Sequence, residues 1–136
     1  MNLNSKHLAA TLALTLLGAG AANATCTYPR GPDALPDGET ATKEQMIAGK
    51  KEVTRYNDEM TAYLDCIKAE SDAQRKQLEE ESQAATSDAE KKAVAARKDD
   101  FEKKHTQKHN AAVDEVTAVV DRFNEQLRAY KKKTGG

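Results

Sequence analysis

Two residue pairs could carry chemistry in this 136-residue chain. His105 and His109 are four positions apart, so a helix sets both imidazoles on one face, as two ligands of a divalent transition metal would stand. Asp99 and Glu102 lie within the neighbouring turns and could extend that set. The second pair is Cys26 and Cys66, the only cysteines. Other chemistry finds little support. Beyond residue 24 the serines are Ser71, Ser82 and Ser87, all in polar surroundings with no base or thiol placed to activate them. The many carboxylates sit in helical, charge-interleaved stretches and are expected to titrate normally. The expectation is a protein that is not an enzyme.

What the cysteines do depends on compartment. Residues 1–24 read as a secretory leader: Lys6, an apolar run from Leu8 to Leu17, then the small-residue stretch GAGAANA. Ala22 and Ala24 fit the two subsites of a signal peptidase, which predicts cleavage before Thr25. The run is about half of what spans a bilayer, so removal is expected and the mature chain keeps no transmembrane segment. Lipid anchoring would need a small residue before Cys26 and an aliphatic one two positions earlier, where Thr25 and Asn23 stand. Periplasmic or secreted location follows. There an isolated cysteine pair reads as a Cys26–Cys66 disulfide, with two free thiols or bridges between molecules as the alternatives. Cleavage leaves 112 of the 136 residues, enough for one domain, and removes Lys6 alone among the charges, giving 20 basic against 22 acidic groups. That balance lacks the basic excess of a nucleic-acid binder. With four tyrosines, two phenylalanines and no tryptophan, a large compact core is not expected.

The elements that must position these groups follow in order. Residues 25–41 hold all three prolines, within CTYPRGPDALPDG, and read as an extended arm with turns at Arg30-Gly31-Pro32 and Pro36-Asp37-Gly38. Thr42 with Gln45 forms a capping box and opens a helix over 42–84. Met46, Val53, Met60 and Ile67 recur every seven residues along it, with Tyr56, Tyr63 and Leu64 between. A turn is signalled at 85–87, and Ser87 with Glu90 caps a second helix over 88–133. Its heptad of Val113, Val116, Val120, Phe123, Leu127 and Tyr130 precedes a lysine run suited to a helix C-terminus, and 134–136 form a tail.

The predicted fold is all-α: a long antiparallel two-helix hairpin, coiled-coil-like, with a proline-rich N-terminal arm. A turn centred on residue 86 makes facing positions sum to about 172, which sets Met46 against Leu127, Val53 against Val120, Tyr56 against Val116 and Leu78 against Val94. Both helices are then apolar at the open end and polar near the turn. Cys66 lies roughly 36 Å along the first helix from Thr42, while the arm can reach roughly 50 Å. A bridge therefore requires the arm to double back, covering the seam with Tyr28, Leu35 and the prolines as a third layer. Gly49 on that side either admits a close neighbour or is a tolerated surface glycine. Met46, Val53, Tyr56, Met60, Val116, Val120, Phe123 and Leu127 form an apolar stripe wider than one helix covers, which points to an oligomer or to another envelope protein as partner.

Cys26-Thr-Tyr-Pro, Pro36-Asp-Gly with Ala41-Thr42 after it, and Met60 with Tyr63-Leu64-Asp65-Cys66 resemble a group of small uncharacterised exported proteins of Gram-negative bacteria. The resemblance covers the first half of the mature chain. It implies an envelope location, supports the paired cysteines and brings no activity with it. The repeated Leu-Thr-x-x-Gln motif of long-helix periplasmic chaperones and metal-linked stress proteins is missing. The functional expectation is a non-enzymatic structural or interaction protein with no cofactor. Two other readings stand beside it: a small metal-binding or metal-sensing protein using His105 and His109, and a holdase-like chaperone.

Overall fold

The computed structural model describes residues 26–135; the predicted leader, its cleavage point and Gly136 lie outside the described residues. Two helices, α1 (Lys43–Ala84) and α2 (Asp88–Thr134), pack against each other as an antiparallel hairpin, and the described residues contain no strand. Both starts are reciprocal caps. The Thr42 hydroxyl accepts the Gln45 amide at 3.3 Å and the Gln45 side chain accepts the Thr42 amide at 2.8 Å. At the turn the Ser87 hydroxyl accepts the Glu90 amide at 3.2 Å, while Glu90 accepts the amides of Ser87 and Thr86 at 2.9 and 3.0 Å. These amides have no partner within a helix, so the side chains stop the chain from continuing straight through the turn.

The backbone amide of Ser87, followed by that of Thr86, pulls the Glu90 carboxyl down to about 2 from 4.5. Its folded value lies below its unfolded one, so the stabilisation is complete above pH 4.5 and is lost as pH falls through about 2. Melting temperatures of Glu90→Gln and the wild type, compared by circular dichroism, should differ at pH 6 and converge toward pH 2. A gap independent of pH would rule out the carboxylate charge as its source. Ser87→Ala should cost about 1 kcal/mol through loss of the N-cap.

At its far end α2 runs one residue past the predicted limit, because the Thr134 hydroxyl donates to the Tyr130 carbonyl at 3.0 Å. Gly135 then closes the helix in the left-handed conformation, φ 75°, its amide reaching the Lys131 carbonyl.

The core lies at the open end. From α1 it takes Met46, Val53, Tyr56, Met60, Tyr63 and Ile67, and from α2 Ala112, Val119 and Phe123. Val116, Val120, Leu127 and Tyr130 are half-buried at its edge. The heptad expected Val120 inside; Val119 takes the fully buried place instead. Toward the turn the apolar contact thins to Leu78 and Val94, both buried and summing to 172 as the register requires. Around them and toward the core, Lys98–Glu79, Arg97–Glu81 and Arg75–Glu102 pair across the helices at 2.6 to 2.7 Å. Exposed pairs contribute up to about 1 kcal/mol each, so they align this half more than they stabilise it.

Cys26 and Cys66 are joined, with Cα atoms 5.8 Å apart, and the arm runs back along the hairpin. The Tyr28 ring meets Tyr63 edge-on at 4.9 Å, Gly31 lies over the Tyr56 ring, and Pro36 lies over Gly49. Gly49 is the admitting kind: a Cβ there would stand 2.6 Å from the Pro36 ring. The arm ends by tucking Gly38 onto α2, its amide donating to the Gln126 side chain at 2.9 Å. A Cβ on Gly38 would fall 1.9 Å from the Gln126 carbonyl oxygen, a backbone atom of a helix that has nowhere to go. Gly38→Ala should therefore lift this end of the arm and cost about 1 to 3 kcal/mol. Gly31→Ala, whose Cβ would meet the Tyr56 ring at an ordinary 3.7 Å, should stay within about 0.5 kcal/mol of wild type. Urea denaturation of the two variants checks the contrast.

Candidate functional site

Two places gather polar side chains around the arm. The first is Glu115 on α2, whose two carboxylate oxygens accept the hydroxyls of Tyr28 from the arm and Tyr56 from α1, the latter at 2.9 Å. One acidic side chain thus ties three layers. Burial, and then the hydrogen bond to Glu115, push the Tyr56 hydroxyl up to about 12 and raise that of Tyr28 as well. Both phenols are held as neutral donors, which suits them to fastening rather than to proton transfer at ordinary pH. Tyr56 and Tyr63, an aromatic pair seven residues apart, are buried core rather than a free contact strip. Sequence reading gave Glu115 no role, although the 172 register sets it beside Tyr56.

The second place adjoins the Cys26–Cys66 bridge. An open groove of about 590 Å³ lies between the helices, lined by Cys66, Glu70, Ser71, Phe101, His105 and Lys108 among others. Its origin is a small residue at a seam position: Ser71 stands opposite Phe101 in the 172 register and cannot fill the layer. The Phe101 ring instead stacks on His105, with centroids 6.1 Å apart and 14° between planes. The Ser71 hydroxyl is buried, with 2 % of the residue exposed, and has no hydrogen-bond partner among the described residues. Removing such a group relieves its desolvation, so Ser71→Ala should stabilise the chain by about 1 kcal/mol, read from denaturant midpoints. At the edge of the groove Glu70 accepts the Cys26 amide at 3.2 Å and stands 3.6 Å from the Lys108 ammonium, which also lies over the Tyr63 ring.

The histidine pair sits beside this groove without closing on a common point. His105 is half-buried and His109 exposed, with ring centroids 6.5 Å apart and tilted by 48°. Glu102 is clamped by Arg75 at 2.7 and 2.8 Å, and Asp99 pairs with Lys103 at 2.7 Å, so both nominated carboxylates already have cations. Among the described residues, the ligand-type atoms that converge are those of Cys26, Cys66 and Glu70, all within 4.8 Å of one another.

The predicted contact stripe is turned inward. Met46, Val53, Tyr56, Met60 and Phe123 are buried, and Val116, Val120 and Leu127 pack half-buried against the same core, whose cluster also takes in Leu35 and Ala41 of the arm. The surplus width of the stripe is thus covered by the chain's own third layer. Tyr28 and Ile47 are its exposed large apolar side chains among the described residues. No helix among them is long and apolar enough to cross a membrane. No family model, curated protein or solved structure matches the chain.

Proposed function

We propose that the chain is an exported, non-enzymatic interaction protein of the bacterial envelope, a stapled rod that presents its charged helical faces to a partner. The observation that carries this reading is the arm. Its disulfide, its hydroxyl contacts to Glu115 and the tight seating of Gly38 and Pro36 all serve to hold one shape. A chain that commits its apolar side chains and its cysteine pair to rigidity leaves its outer surface for recognition. The partner, another envelope protein, meets the charged outer faces, because the arm covers the apolar stripe at the open end.

Site-specific photo-crosslinking in the native envelope tests this. A photoreactive residue at Lys104, on the groove side, or at Ile47, at the open end, should give one discrete adduct, in a periplasmic fraction whose mature chain begins at Thr25. Absence of any adduct from either position, or a full-length chain found in the cytoplasm, would contradict the reading. Sedimentation velocity at high concentration should show a monomer. A dimer would return the role of partner to a second copy.

A further inference from the structure

Cys66 and Glu70 are four residues apart on α1, the helical spacing that points two side chains to one side. The arm brings Cys26 to the same spot, and all three ligand-type atoms fall within 4.8 Å of one another. Ligands around a four-coordinate zinc ion, with bonds of about 2.0 to 2.3 Å, stand roughly 3.3 to 3.8 Å apart. Reduction breaks the bond that holds the sulfurs together and lets them part to that spacing, and the carboxylate would close in by about 1 Å. His105 lines the same groove from α2 and sits opposite Ile67 in the helix register.

We infer that Cys26, Cys66 and Glu70 form a latent zinc site, opened by reduction of the disulfide, with His105 of the same groove supplying the fourth ligand. The step balances simply. A dithiol reductant takes up the disulfide's oxidising equivalents and becomes a cyclic disulfide, leaving two thiols on the protein. Zn²⁺ then binds the two sulfurs as thiolates and releases their two protons. The Glu70 carboxylate turns from the Cys26 amide and Lys108 toward the metal. Thiolate ligands select zinc over magnesium or calcium, whose preference is for oxygen. The consequence for the molecule is a second way to fasten the arm: a covalent bond under oxidising conditions and a metal bridge under reducing ones. This differs from a site on His105 and His109, whose rings do not close on a common point with a carboxylate.

The experiment uses the mature full-length chain, reduced with a non-thiol phosphine and then held without oxygen. Titration with Zn²⁺, and with Co²⁺ as a spectroscopic substitute, should show one equivalent bound, a sulfur-to-cobalt charge-transfer band and release of about two protons per metal. The oxidised chain should bind at least 100-fold more weakly. Glu70→Gln, an exposed change that leaves the helices intact by circular dichroism, should weaken zinc at least tenfold. His105→Asn should weaken it by a similar factor, whereas His109→Asn should not. Zinc should also raise the melting temperature of the reduced chain and not that of the oxidised one. Equal affinity in the oxidised and reduced chains, no charge-transfer band, or Glu70→Gln binding as well as wild type would each overturn the site.

Discussion

Replacing Cys26 with serine, or reducing the bridge in the absence of metal, is expected to lower the unfolding free energy by about 4 kcal/mol, the chain-entropy value for a loop of this length. The bond closes 40 residues, from the first described residue to the middle of α1. Without it the unfolded chain regains the freedom of that loop, while the folded chain holds the arm by contacts of modest individual strength: the Tyr28 edge on Tyr63, the Tyr28 hydroxyl on Glu115 and the Gly38 amide on Gln126. Small domains have roughly 5 to 15 kcal/mol in total, and this core is thin, so the loss is a large share. Denaturant melts of wild type and Cys26→Ser check it. A difference under about 1 kcal/mol would mean that the arm is held by packing and that loop entropy counts for little. Mass spectrometry of the periplasmic protein, with and without reductant, establishes the bridge independently.

Tyr56→Ala is expected to cost about 3 to 5 kcal/mol, the range for emptying a buried aromatic site. Tyr56 has no exposed surface, lies beneath Gly31 of the arm and sits in the cluster with Met60 and Phe123. Its loss leaves a cavity bounded by three layers, none of which can collapse without moving the others. Tyr56→Phe separates the hydroxyl from the ring: it should cost about 1 kcal/mol, since Glu115 stays near the surface and keeps Tyr28 as a donor. The same pair carries a pH signature. The folded tyrosine ionises near 12 and the unfolded one near 10, so its contribution is complete below pH 10 and lost as pH rises through about 12. Wild type and Tyr56→Phe should therefore converge in stability between pH 10 and 12. Urea midpoints at pH 7 and pH 11 measure both effects.

Much of this architecture is legible because it is local or periodic. The two capping boxes are four-residue patterns, and they locate the start of each helix to within one residue of α1 (Lys43) and α2 (Asp88). The facing register follows from the turn, and the doubled-back arm follows from two cysteines that a straight path could not join. What stays hidden depends on the third layer. Val119 and Val120 are equally good helical seam residues as long as α2 has one neighbour. With the arm also present, Val119 lies inside with Leu35 and Ala41, and Gln126 becomes an acceptor for Gly38. Glu115 is hidden for a different reason: a charged residue in a helix reads as solvated surface, and its value comes from two tyrosines 59 and 87 positions away. The Ser71 groove was visible only as a thinning of the apolar pattern. That thinning gives no hint that the Cys26–Cys66 bridge stands at the edge of the groove.

Amide hydrogen exchange, followed residue by residue in the oxidised chain and in Cys26→Ser, tests the fastened third layer most directly. Releasing the staple should speed exchange of the Gly38 amide and of α1 from Met46 to Ile67, and should leave the segment around Leu78 and Val94 unchanged, because the described arm, from Cys26 on, does not reach it. Uniform acceleration along both helices, or none at residues 46–67, would contradict an arm that packs along the open half of the hairpin.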